Sequence, residues 1–103
     1  MEALKGFEKK FLKALAHGLK PVVFIGQKGL TDSLINSIHD ALSTHELIKV
    51  KFIEFKEKQQ KVGMAENIEA EVRCRLVGMI GHIAIFYREH PDPEERKIQL
   101  PQR

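Results

Sequence analysis

Between residues 34 and 52 the spacing of apolar residues changes, and that change limits the folds open to this chain. Leu34, Ile35, Ile38, Ala41 and Leu42 recur at threes and fours, the stripe of a helix. After His45 and Glu46, the run Ile48, Val50, Phe52 alternates with Lys49 and Lys51. That is a strand with one buried side and one wet or ligand-facing side. The same switch recurs along the sequence. Leu4, Phe7, Phe11 and Leu15 predict an amphipathic helix over 3–17, with Lys5, Lys9 and Lys13 in a row on its other side and Gly18 and Pro21 as stop signals. Residues 22–25 are β-branched and aromatic and predict a short buried strand. Thr31 suits an N-cap, with Asp32 and Ser33 in the first turn of the second helix. Val62, Ala65, Ile68 and Val72 give a third helical stripe, which Gly63 weakens by about 1 kcal/mol relative to Ala. "RLVGMI" and "HIAIFYR" predict two strands joined by a tight hairpin at Gly81. The order α-β-α-β-α-β-β implies an α/β fold, a four-stranded mixed sheet with three main helices. Two helical crossovers should give parallel pairings and the hairpin an antiparallel one. One domain is expected over residues 1–88. Residues 89–103 hold three of the four prolines and many charges, and read as an extended tail, partly ordered at best.

A chain of 103 residues accommodates one such domain, and 43% apolar residues supply a small core. Its apolar runs are too short to span a membrane, and its charged N-terminus lacks the apolar stretch of a signal peptide. A single cysteine, Cys74, cannot form an internal disulfide, so a cytoplasmic, reducing setting is expected. The formal net charge is only +3, but it is unevenly placed. Residues 1–30 carry six lysines against two glutamates, a net of +4, whereas the remaining chain nets −1. Such asymmetry favours a polyanionic partner, although solubility alone also produces basic faces.

The basic segment ends in "VVFIGQKGLTDS", a strand, a Gly-x-x-Gly loop and a helix start. The first N–H groups of a helix have no intrahelical partner, and the helix dipole favours negative charge there. Gly26 and Gly29 would let a phosphodiester approach the main chain, and Lys28 adds a mobile positive charge. The plain alternative is a turn. The spacing fits neither a Walker loop nor a dinucleotide fingerprint. The lysines of the first helix either share a binding surface with the loop or form a solvated face; Lys49 and Lys51 either extend that surface or keep the sheet wet.

Catalytic groups are sparse. His17, His39, His45, His82 and His90 lack metal-ligand spacing with one another or with Cys74. His39 and Asp40 read as surface residues. Arg73 and Arg75 beside Cys74 would lower its pKa, but no activating base is evident and a buried structural thiol is the better reading. Tyr87 and Phe86 read as core or sheet-face residues. No enzyme activity, metal, cofactor or small-molecule substrate is expected.

The segment "LKALAHGLKPVVFIGQKGLTDSLINSIHDALSTHELIKVKF", followed by "MIG", "IAIFYR" and "ERKIQLP", resembles the CRM domain (chloroplast RNA splicing and ribosome maturation). It is most similar to the single-domain, YhbY-like bacterial members. The resemblance spans nearly all of the chain except residues 53–74. It implies a two-layer α/β fold similar to the C-terminal domain of translation initiation factor three, and RNA binding. It further implies action on the ribosomal RNA precursor of the large subunit. The family's loop glycines correspond to Gly26 and Gly29, and its basic first helix to Lys5, Lys9, Lys13 and Lys20. Gln27 stands where the family often has a basic residue, with Lys28 one place later. Arg73-Cys74-Arg75 replaces a small-residue turn, leaving open where the third helix ends. The expectation is therefore a non-catalytic RNA-binding protein whose contacts are Gly26, Gln27, Lys28, Gly29, Thr31 and the lysines at 5, 9, 13 and 20. The alternative is a protein–protein module docking on a ribosomal protein or translation factor.

Overall fold

The computed structural model describes residues 2–55 and 57–102; the outer ends of the segments expected at 1–88 and 89–103 lie outside these. Helices α1 (Gly6–Ala16), α2 (Asp32–His45) and α3 (Lys58–Val72) alternate with strands β1 (Val23–Ile25) and β2 (Leu47–Phe52). Strands β3 (Arg75–Ile80) and β4 (Ile83–Tyr87) follow, then a 3-10 turn at Pro93–Glu95. Three helices and a four-stranded mixed sheet are the architecture the periodicity predicts.

The strand order is β1-β2-β4-β3. The first crossover makes a parallel pair, with Val23 opposite Val50. The second does not: β4 lies between β2 and β3 and is antiparallel to both. The expected second parallel pairing is thus replaced by an inserted hairpin, because β4 can satisfy the edges of both strands at once. Gly81 takes φ +60 in the two-residue turn between Ile80 and Ile83, the glycine-first pattern suited to a tight hairpin. The turn is anchored twice. Phe52 N–H donates to His82 O at 2.7 Å, and the Lys61 ammonium, on a residue only 7% exposed, donates to Gly81 O at 2.7 Å.

Strand alternation sorts the core onto two faces. Val23, Ile25, Ile48, Val50, Phe52, Ala84 and Phe86 pack under Ile38 and Leu42 of α2 and Ala65, Ile68 and Val72 of α3. This layer is complete. On the opposite face, Leu47, Val77, Ile85 and Tyr87 pack with Leu12 and Ala16 of α1 and with Ile98 and Leu100 from the C-terminal segment. That cover is partial.

Three expectations change in detail. The stripe Leu4, Phe7, Phe11, Leu15 is not the main buried face of α1: Leu12 and Ala16 are fully buried, while Leu15 is 44% exposed. The expected buried strand at 22–25 is the edge strand β1 and is not buried throughout: Phe24 within it, and Val22 just before it, are about half exposed. The C-terminal segment is pinned to the domain. The Glu46 carboxylate, 1% exposed, accepts from the backbone N–H groups of His90 (2.7 Å), Lys97 (2.6 Å) and Ile98 (3.0 Å). Glu46 itself sits at φ +63, an unfavourable conformation for a non-glycine residue that these bonds hold in place. The open boundary resolves as well: α3 stops at Val72, Arg73 takes the left-handed cap conformation usually given to glycine, and β3 begins at Arg75.

Candidate nucleic-acid interface

The Gly-x-x-Gly loop leaves the sheet where β1 ends and α2 begins. Gly29 N–H donates to Gly26 O at 3.0 Å, closing a four-residue turn with Gln27 and Lys28 exposed at its tip. The two glycines differ. Gly29 is buried at φ +70, and a Cβ there would meet Phe55 and Met64 at 3.6 Å. Its backbone conformation alone accounts for a glycine. Gly26 lies outside the left-handed region, and a Cβ there would meet nothing within 4 Å. The fold therefore does not require glycine at 26.

Thr31 is the N-cap of α2, its Oγ1 accepting from Leu34 N–H at 3.1 Å. With Asp32 also in the first turn, the positive end of this helix is partly answered from within. Attraction for an anion at the loop thus rests more on Lys28 and the open main chain at Gly26 than on the helix end.

The lysines do not converge on one point. Lys5, Lys9, Lys13 and Lys20 are all exposed. Lys13 lies along β3: a Cβ at Gly78 would sit 2.5 Å from its Cε, so that glycine makes room for its stem. Lys5 stands at the N-cap of α1, its N–H donating to Glu8 Oε1 at 2.8 Å. It borders a shallow cleft with Glu89 and Leu100, just beyond the end of β4 opposite the loop. Lys20 borders an apolar groove beside Val22 and His45. The two lysines of β2 have separate tasks. Lys49 Nζ donates to Leu19 O (2.9 Å) and His17 O (3.4 Å), closing the C-terminus of α1. Lys51 is exposed, with no acidic partner among the described residues.

Sequence reasoning missed Phe24 and Ile80, which are 49% and 63% exposed on the partly covered face near the loop. The alternation that would have marked Phe24 is invisible in an all-apolar run of four residues.

The remaining reactive groups face inward. Cys74 is 2% exposed, and burial pushes its thiol up to about 12, with the Glu69 carboxylate adding to the shift and Arg88 and Arg75 only partly opposing it. Tyr87, 1% exposed, is likewise raised to about 12 by burial, then by Glu89 and Glu46. His39 accepts from the Arg88 guanidinium at Nδ1 (2.9 Å), a tie between α2 and the end of β4. Among the described residues no cluster of three or more His, Cys, Asp or Glu side chains could hold a metal, and no helix is long and apolar enough to cross a membrane.

Comparison with known proteins agrees with this architecture. A family model, the CRS1 / YhbY (CRM) domain, matches residues 4–88. A protein of Haemophilus influenzae named an RNA-binding protein is 43% identical over the whole of both chains. YqeI of Bacillus subtilis, named a probable RNA-binding protein, is 37% identical over 95% of this chain and 99% of its own. The solution structure of the hypothetical protein SAV1595 from Staphylococcus aureus superposes with a TM-score of 0.81 at 35% identity. That match covers 95% of this chain and 99% of the other. These relatives are named for RNA binding and not for a reaction, and the chain belongs to the CRS1 / YhbY (CRM) domain family.

Proposed function

We propose that this protein binds RNA through the phosphate backbone at residues 26–29, and that its target is the ribosomal RNA precursor of the large subunit, in the cytoplasm. The observation that carries the reading is Gly26. The fold tolerates a side chain there, yet none is present, and the bare main chain adjoins the exposed Lys28. A phosphodiester is an anion that gains from both features. The names of the relatives support the same partner class. The lysines at 9, 13 and 20 would add long-range attraction and little base preference, since phosphate contacts position without reading sequence. Thr31 serves by holding the start of α2.

The test replaces Gln27 and Lys28 with Asp, at positions where the fold makes no demand. The doubly substituted protein should melt normally and lose most RNA binding at low salt. Normal binding by that folded variant would make the loop a turn and nothing more. Cross-linking in cells, with sequencing of the bound RNA, checks the target: reads should concentrate on large-subunit precursor.

One observation favours the second reading, a protein–protein module. A groove of about 440 Å³ beside β1 is lined by Leu15, Leu19, Val22 and Leu47, the first three 40–48% exposed. Salt separates the readings, because phosphate binding weakens steeply with salt and apolar docking does not.

A further inference from the structure

At the loop end of the sheet, four residues stand in one line across all four strands. Phe24 of β1 is opposite Lys51 of β2, Lys51 opposite Ile83 of β4, and Ile83 opposite Ile80 of β3. All four project from the face that carries α1, because their neighbours Val23, Val50, Ala84 and Met79 pack into the core on the other side. Helix α1 does not reach this line. It covers the previous one, where Lys13 lies over Gly78, Ile85 is 1% exposed and Lys49 is bonded beneath the end of the helix. What remains open is an apolar strip with one lysine in its middle, bounded on one side by Lys13.

We propose that this strip seats unpaired bases of single-stranded RNA whose backbone crosses the 26–29 loop, an assignment that rests on the RNA-binding reading above. Three features favour this occupant. Phe24 precedes Gly26 by two strand residues, about 7 Å along the chain, a span that one nucleotide bridges from phosphate to base. The exposed ring offers a flat surface on which any base can stack. Lys51 has no acidic partner among the described residues, so an apolar protein segment laid on the strip would cover a lysine without answering its charge; a nucleotide brings that charge with it. A duplex, with its base faces already stacked, would use the loop and leave the strip empty. The strip thus predicts a preference between forms of RNA, which phosphate contacts alone do not.

The test measures binding of a short single strand of mixed sequence and of the corresponding duplex, at fixed low salt, by fluorescence anisotropy. The wild-type protein should prefer the single strand. Phe24→Ala should weaken single-strand binding about tenfold and leave duplex binding unchanged, while Phe24→Tyr, which keeps a ring, should retain the preference. Ile80→Ser, at the other end of the strip and 63% exposed, gives a second reading should Phe24→Ala fold poorly. The Gln27→Asp, Lys28→Asp variant should lose both forms together. If both strip variants bind the single strand as the wild type does, or lose the two forms equally, the strip is not a base seat although the loop still binds RNA. If the wild-type protein binds neither form, the RNA-binding reading itself fails and the assignment with it.

Discussion

The two ends of the sheet are built on opposite principles. At the end where β2 begins and β4 finishes, polar groups are tied to one another. Glu46 gathers three backbone N–H groups from the C-terminal segment. One residue beyond β4, the Arg88 guanidinium bonds Val72 O, His39 O and Ser43 Oγ, joining α2, α3 and the sheet. At the other end, the side chains of Gln27, Lys28, Phe24, Lys51 and Ile80 are exposed. The backbone there is nevertheless held, by Lys61 and His82 at the hairpin and by Thr31 at the helix. A small domain with a limited core gains rigidity by tying one end shut. The other end then presents side chains on a fixed frame, which would reduce the ordering cost of the proposed RNA contact.

The comparison breaks first at Glu46. Replacing it with Ala leaves three backbone donors without their acceptor and should cost about 3 kcal/mol or more, read as a lower midpoint in urea. The C-terminal amides should lose hydrogen-exchange protection together. RNA affinity of the folded fraction should stay the same, because the damage is at the far end.

A finer separation uses the two glycines. Gly29→Ala forces a side chain into the left-handed region and should cost about 1–2 kcal/mol of stability. Gly26→Ala should change stability by less than about 0.5 kcal/mol yet weaken RNA binding. Thermal melts and affinity measured on both variants should therefore dissociate, one losing stability and the other binding.

The lysines sharpen the map further. Lys13→Gln and Lys28→Gln should each flatten the salt dependence of RNA binding by about one unit in slope. Lys5→Gln should leave the slope unchanged, since Lys5 lies by Glu89 at the tied end. Equal effects from all three would erase the distinction between the ends.

The last effect appears only at alkaline pH and leaves neutral-pH behaviour untouched. Cys74 and Tyr87 titrate near 12 in the folded protein, above the usual 9.0 and 10.0. Above pH 9 the unfolded chain therefore releases protons that the folded one keeps. The stabilisation is complete below pH 9 and is lost as pH rises toward 12. Cys74→Ala should soften the first part of that loss, and the native thiol should resist alkylation at neutral pH.

The helices and strands were legible because the switch between helical and strand periods is strong, as in 34–42 against 48–52. The face of α1 was not, because apolar residues at 4, 7, 11, 12, 15 and 16 allow more than one stripe, and only the sheet selects Leu12 and Ala16. The place of β4 and the anchoring of the C-terminal segment are long-range facts. No local pattern marks Glu46 as the acceptor for residues more than 40 positions later. The proposed site was half legible: glycines and lysines stand out in a sequence, but their different roles follow from φ at 29, open space at 26, and the roof over Lys49 that leaves Lys51 bare.

The most direct test of this division is an NMR titration of the labelled protein with a short single-stranded RNA. Amide shifts should move at residues 24–31, at Lys51 and at 80–83, while Glu46, Arg88 and residues 90–98 stay in place. Shifts centred on Glu46 and the C-terminal segment, with residues 24–31 unmoved, would contradict the account.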